Sequence, residues 1–426
     1  MTDLAAVEAA IADTHRREWA RVLAATVRVA RDLDLAEECV QEAYASALES
    51  WVSAGIPDRP AAWLATTARR RAIDAIRRDR ALRSRLPLLV EPEEAGDEPA
   101  PPEPAEQAAA DTVEALPDGR LRLIFMCCHP ALGQGAQIAL TLRLVCGVPV
   151  SDIARAFLVS EPTMAARITR AKKKISTARI PYRMPRPAEL PERLPAVLAV
   201  IYLLFTAGHT APSGGSLVRA DLVHRAAYLA RMLHELMPGE PEVGGLHALL
   251  LVTQARLATR VDGAGRLVQL KDQDRSRWDR AALAEAHDII VGCLRAGPPG
   301  RHVLEAAIAS LYAEALSYRW TDWTQILTLY DRLLLVWPSP IVRLNRTVPL
   351  AMVAGPQAAL AEVEQLELDD RLAGYQYLPA IKADLLSRLG RPGEAAIAYR
   401  QALALATNEA ERVFLAEQIA EQTFAI

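Results

Sequence analysis

Residues 158–175, LVSEPTMAARITRAKKKI, gather Arg167, Arg170, Lys172, Lys173 and Lys174 on one short segment of a chain whose formal net charge is −3. Cations set this closely can hold phosphates, and an arginine among them can also take guanine O6 and N7 bidentately. The same charge type recurs upstream: eight arginines stand between Arg69 and Arg85, against Asp74 and Asp79 alone. From Glu91 to Asp118 the sign reverses, with ten acidic residues, six prolines and no Lys or Arg. From Gly119 to Pro187 twelve Lys or Arg face only Asp152 and Glu161. Two basic modules on one acidic tether suit a polyanion touched at two separated points, and nucleic acid is the expected partner. The competing reading is two solvated helix faces that bind nothing.

Other residues invite chemistry less well. CCHP at 127–130 puts two cysteines about 100° apart on a helix, with no second ligand pair at zinc spacing, so buried small residues are expected and no metal. In KDQDRSRWD, 271–279, Asp272 and Asp274 lack the Gly and Glu of a calcium loop. An ion-pair cluster around Arg275, Arg277 and Trp278 is expected there. His209 in FTAGHTAPSGG has no paired His or carboxylate pattern and reads as a loop or capping residue. No nucleophile elbow, phosphate loop or dinucleotide fingerprint occurs, so neither an enzyme nor a cofactor is expected.

The elements that must carry these residues are helical. Hydrophobic residues make up 51% of the chain but aromatics only 5%. Ala and Leu, which dominate, favour helix over strand. An all-α fold is predicted. Residues 149–157 read as a short helix with Ile153, Ala154 and Phe157 inward, followed by a tight turn at Leu158-Val159 and a Ser160 N-cap. On the next helix Met164, Ile168, Ala171 and Ile175 make one apolar stripe, and Thr163, Arg167, Arg170 and Lys174 make a cationic row roughly 80° away. These are the parts of a helix-turn-helix whose second helix enters a major groove. Upstream, DLAEECVQEAYASALESW is an acidic amphipathic helix, broken at AGIPDRP. AAWLATTARRRAIDAIRRDRALRSRL is then a basic helix with Ala68, Ala72, Ile73 and Ile76 on its apolar side. Residues 87–116 cannot bury enough apolar surface to fold alone and read as a linker.

In this order and spacing, DLAEECVQEAYASAL, PAAWLATTARRRAIDAIRR and AARITRAKKKI resemble an extracytoplasmic-function (ECF) RNA polymerase sigma factor. LRLIFMCCHPAL at 121–132, KDQDRSRWD at 271–279 and the helical repeats at the end resemble a subgroup with a C-terminal extension. The resemblance implies a sigma region 2 domain over 1–86 and a helix-turn-helix region 4 domain over 117–184, followed by the extension over 185–426. It implies that Asp34, Glu37, Glu38, Gln41 and Glu42 dock on the β′ clamp of core polymerase and that region 4 meets the β flap. It places Trp63, Arg69, Arg70, Asp74, Arg77 and the loop 55–60 at the promoter −10 element, where a cationic track suits single-stranded DNA. Thr163, Arg167, Arg170, Lys173 and Lys174 fall to the −35 element. Three positions depart from the family pattern: Arg70 stands where Asn is common, Ala165 and Ala166 where polar readers are common, and Leu158 where a turn glycine is common.

The last residues read as tetratricopeptide-like, most clearly over 302–426. A helix ends near Gly390 and the next carries Ala395, Tyr399 and Ala402, while Tyr330 precedes Tyr399 by 69 residues, about two repeats. Stacked helix pairs leave a groove for a protein or peptide partner. The N-terminus lacks a signal pattern, the apolar run 197–205 is too short to span a bilayer, and five scattered cysteines fit reduced thiols. A cytoplasmic protein without a membrane partner is expected. A helix-turn-helix regulator with a repeat-type sensor, acting without polymerase, is the alternative; the acidic and basic helices of residues 33–85 speak against it.

Overall fold

A computed structural model describes residues 3–85 and 119–424, apart from 158, 179, 181, 184 and 212–216. The expected linker 87–116 and the turn residue Leu158 lie outside the described residues. Among the described residues the chain is helical, with one isolated antiparallel bridge between Val261 and Leu267. It divides into two compact units, Met1–Val200 and Ile201–Ile426.

In the first unit α1 (Leu4–Ala30), α2 (Leu33–Ala54) and α3 (Pro60–Arg85) pack on one another. Asp3 and Asp32 cap the first two, accepting from the backbone N–H of Ala5 and Leu35. Helix α1 stops where Arg31 turns left-handed, at φ 54°, and α2 stops at Gly55, at φ 89°. Pro60 opens α3, where a missing N–H leaves no intrahelical bond unmade. Leu23 and Val27 from α1, Val40 and Trp51 from α2, and Leu64, Ala68 and Ala72 from α3 are buried together in this unit. Each large apolar side chain so buried contributes about 1.5–3 kcal/mol. Alanine at 68 and 72 keeps the basic helix close, while Arg70, Arg77, Arg78 and Arg80 are exposed.

Helices α4 (Gly119–Cys127), α5 (Gln134–Leu144), α6 (Val150–Ala156) and α7 (Glu161–Thr177) follow. Leu121, Leu123, Ile124, Phe125 and Met126 of α4 are all buried, while Arg120 and Arg122 in its first turn are partly exposed. Cys127 and Cys128 are buried with them. Burial pushes the Cys128 thiol up to about 12, and its sulfur lies 3.8 Å from the Thr141 hydroxyl. Both are packed small side chains.

Helix α8 (Leu190–His209) is longer than the apolar run 197–205 and has the length and composition to cross a membrane. Yet it carries Glu192, Arg193 and Pro195, and Val197, Val200, Ile201 and Leu204 are buried within the protein. Arg193 donates to the Phe125 carbonyl at 3.4 Å. It is a core helix.

The second unit continues with α9 (Ala220–Leu236), α10 (Pro241–Ala255), α11 (Arg280–Ala296) and α12 (Arg301–Glu314). Gly245 is required where α10 crosses α12: a Cβ there would meet the Val303 nitrogen at 2.5 Å. Then come α13 (Trp323–Val336), α14 (Pro340–Val353), α15 (Pro356–Leu366), α16 (Tyr377–Arg388), α17 (Pro392–Leu405) and α18 (Glu409–Phe424), each packed on the next. Helices α14 and α15 are each opened by a proline in the first turn. Helix α16 ends before Gly390, at φ 71°, and Ala395, Tyr399 and Ala402 of α17 are buried.

Candidate nucleic-acid and polymerase interfaces

Helix α7 is built as its sequence predicts. Ser160 accepts from the Thr163 N–H, and Met164, Ile168, Ala171 and Ile175 are its buried residues. With one stripe fixed in the core, helical geometry leaves Thr163, Arg170, Lys173 and Lys174 exposed. Arg167 is half-buried, its guanidinium carbon 5.7 Å from the centre of the Phe157 ring. That contact pre-orients one cation of the row and costs it no charge. Phe157 thus leans on Arg167 and is less enclosed than the inward Ile153 and Ala154 of α6.

Lys172 does something else. It points away from the solvent row and donates to Asp34 Oδ1 at 3.0 Å and to Glu37 Oε2 at 2.5 Å. Arg143 of α5 approaches the other Glu37 oxygen at 3.5 Å. Burial works to lower the Lys172 ammonium, but the hydrogen bonds and charge of Glu37, then of Asp34, outweigh it and leave its pKa raised. This bridge joins the helix-turn-helix to the acidic helix α2. Tyr182, beyond α7, makes a separate tie to α1 and α4, its hydroxyl donor shared between the carbonyls of Ala24 at 3.0 Å and Gly119 at 3.3 Å. Sequence reasoning missed Lys172, because it counted with its neighbours as one cationic run. Its step of one position beyond the buried Ala171 is the only signal that could have set it apart.

On α2 the expected polymerase-binding residues separate. Asp34, Glu38, Gln41 and Glu42 are exposed and, at i, i+4, i+7 and i+8, share one face. Glu37 is buried at 8% exposure, in the bridge to Lys172. Glu42 accepts from Arg71 of α3 at 2.6 Å, and the same guanidinium reaches the Ser46 hydroxyl at 2.6 Å. Arg71 therefore positions α3 against α2, a role the sequence did not suggest. Of the residues expected at the −10 element, Arg70, Asp74 and Arg77 are exposed, while Trp63 and Arg69 are half-buried. Trp63 packs edge-on against buried Trp51, ring centres 5.6 Å apart, at the end of the 55–60 loop.

Residues 14–82 match sigma-70 region 2, and residues 122–175 match sigma-70 region 4. Both matches fall on the helices just described. The chain belongs to the sigma-70 family. It is an ECF-like sigma factor with a C-terminal extension, of which residues 193–293 match a family of unknown function (DUF6596). An uncharacterized protein of Rhizobium meliloti (strain 1021) is 42% identical over 98% of this chain and 96% of its own. No solved structure matches. Sigma factors are non-enzymatic, DNA-binding initiation factors, and their domains imply core RNA polymerase and promoter DNA as partners.

The KDQDRSRWD segment departs from its expectation. Asp274 caps a short 3-10 turn through Ser276, at 3.0 Å, rather than joining an ion-pair cluster. Arg275 instead donates to the carbonyls of Tyr312 at 2.8 Å and Ala315 at 2.7 Å. Its guanidinium carbon also lies 4.7 Å from the Trp278 ring. Carbonyls and an aromatic face, not carboxylates, hold this arginine.

Proposed function

We propose that this sigma factor binds core polymerase through the exposed acidic face of α2 and reads promoter DNA with α7 and α3. The single observation that carries the reading is the division of α7 into one buried stripe and one exposed row, Thr163, Arg170, Lys173 and Lys174, with Arg167 propped on Phe157. In this reading Arg167 and Arg170 face −35 base edges, and Lys173 and Lys174 hold phosphates. Asp34, Glu38, Gln41 and Glu42 meet the β′ clamp, and the 55–60 loop with Trp63, Arg69, Arg70, Asp74 and Arg77 receives the −10 strand. Region 4 docks on the β flap.

The bridge from Lys172 to Asp34 and Glu37 occupies the N-terminal end of the acidic face. We therefore read the conformation described as one that opens before the clamp is engaged. The C-terminal helices are proposed as a regulatory and interaction domain in the cytoplasm, with tetratricopeptide-like stacking available to a protein or peptide partner.

Run-off transcription with purified core polymerase and candidate promoters tests the whole. Promoter-specific transcripts that require this chain are expected. Specific duplex binding without any association with core polymerase would overturn the reading in favour of an ordinary helix-turn-helix regulator.

A further inference from the structure

Within the second unit a cleft of about 380 Å³ is lined by His209, Thr253, Arg256, Arg260 and Gln269, with Phe205 among its apolar residues. Arg256 and Arg260 flank the end of α10, one helical turn apart. Arg260 donates to the His209 carbonyl and, at 3.4 Å, to the Thr210 hydroxyl. It also feels the charge of Glu411, a carboxylate already held by Gln376 and Tyr377.

Arg256 has no comparable partner. Its guanidinium carbon lies 5.2 Å from the Trp278 ring, and its Nε is buried without a hydrogen-bond acceptor among the described residues. Burial, then the charges of Arg260 and Arg275, hold its pKa down to about 10. His209 is held well below the usual histidine range by burial and by the same two arginines of the cleft, so the ring is neutral near pH 7. A buried guanidinium facing like charges and no carboxylate is unfavourable by itself, and an incoming anion relieves it.

We propose that this cleft binds a small organic anion, gripped at its phosphate or carboxylate group by Arg256 and Arg260, with its apolar body against Phe205, Leu267 and Leu270. Guanidinium forks match both oxyanions bidentately, and the open, partly apolar cleft is of the size that takes small molecules. The inference is independent of how the chain engages DNA or polymerase.

Calorimetric titration and thermal unfolding of the full chain test it, with phenyl phosphate, benzoate and inorganic phosphate as probes and sodium chloride at matched ionic strength as control. Saturable binding of phenyl phosphate or benzoate is expected, about tenfold tighter than inorganic phosphate because a ring is also buried. Which of the two organic probes binds more tightly identifies the anionic group. Arg256→Met should weaken binding about ten- to a hundredfold. The same variant should unfold no earlier than the parent without ligand, since the charge it removes has no carboxylate partner. If no probe binds beyond the chloride control, or if Arg256→Met and Arg256→Lys both bind like the parent, the site is not there. Equal affinity for inorganic and phenyl phosphate would overturn the assignment of an organic body.

Discussion

Arginine and lysine occupy opposite situations in the two units. On α7, Arg170, Lys173 and Lys174 stand in solvent over a buried apolar stripe. Near the end of α10, Arg256, Arg260 and Arg275 are turned into the protein, against Trp278 and backbone carbonyls. The residue type is the same, but its surroundings decide what it can do. A solvated row keeps its charge available to a long polyanion and adds little to stability. An enclosed cation must be satisfied locally, so it either braces the fold, as Arg275 does, or waits for a small anion, as we propose for Arg256. Lys172 sits between the two cases, on α7 yet committed to Glu37 and Asp34.

The largest effect should come from reversing exposed charge. Glu38→Lys combined with Glu42→Lys should abolish pull-down of core polymerase, because like charges then face a basic surface. The loss of the exposed Arg71–Glu42 pair should cost no more than about 1 kcal/mol of stability. Wild-type pull-down by a folded double variant would show that exposed charge on α2 is idle.

Next, Arg167→Ala and Arg170→Ala should each lose about 1–3 kcal/mol of discrimination between promoter duplexes. Lys173→Ala should weaken all duplexes about equally and flatten the salt dependence of binding. Binding isotherms across salt concentrations separate these outcomes. Thermal stability should hardly move in any of the three.

Enclosed arginine should show the converse. Arg275→Met removes two donors to carbonyls and the stack on Trp278, and should lower unfolding stability by about 2 kcal/mol while leaving duplex binding intact. Chemical denaturation and duplex titration of the same sample read both.

The smallest effect belongs to Lys172. Lys172→Met should lower stability by about 1–2 kcal/mol, since Glu37 stays buried with only the longer contact to Arg143. The folded pKa of this lysine is raised above its ordinary 10.5. The bridge's contribution is therefore complete below that value and is lost only as pH rises through the folded pKa. The stability difference between parent and variant should be the same at pH 7 and pH 9.

Sequence made the faces of single helices legible. The stripe of Met164, Ile168, Ala171 and Ile175 follows from a period of 3.6 alone, and the structure buries it. The acidic set on α2 came from the family resemblance, and the structure leaves Asp34, Glu38, Gln41 and Glu42 exposed but buries Glu37. Periodicity tells which residues leave a helix together; it does not tell which charge on another helix they meet. Hence the pairing of Lys172 with Glu37, 135 positions away, was invisible, and so was Arg71 reaching Glu42. The cleft of Arg256 draws its walls from α8, α10 and the loop 267–273 and has no local motif. In KDQDRSRWD the mixture of signs suggested ion pairs, whereas the deciding partners were carbonyls of Tyr312 and Ala315, which carry no sequence signal.

The bridge between Lys172 and α2 has a quantitative consequence. If α2 docks core polymerase as we propose, a chain whose Lys172 holds the Asp34–Glu37 end of that face offers the polymerase only the fraction of molecules that happen to be open. The apparent dissociation constant is then the intrinsic one divided by that fraction. Because the covering helix is tethered to the same chain, its effective concentration does not change as the protein is diluted. If promoter DNA binds the open form better than the bridged one, DNA and polymerase would each tighten the other's binding by the same factor without touching one another. On this account a single lysine sets how reluctant the free factor is to assemble, and substituting it would shift that threshold for both partners at once.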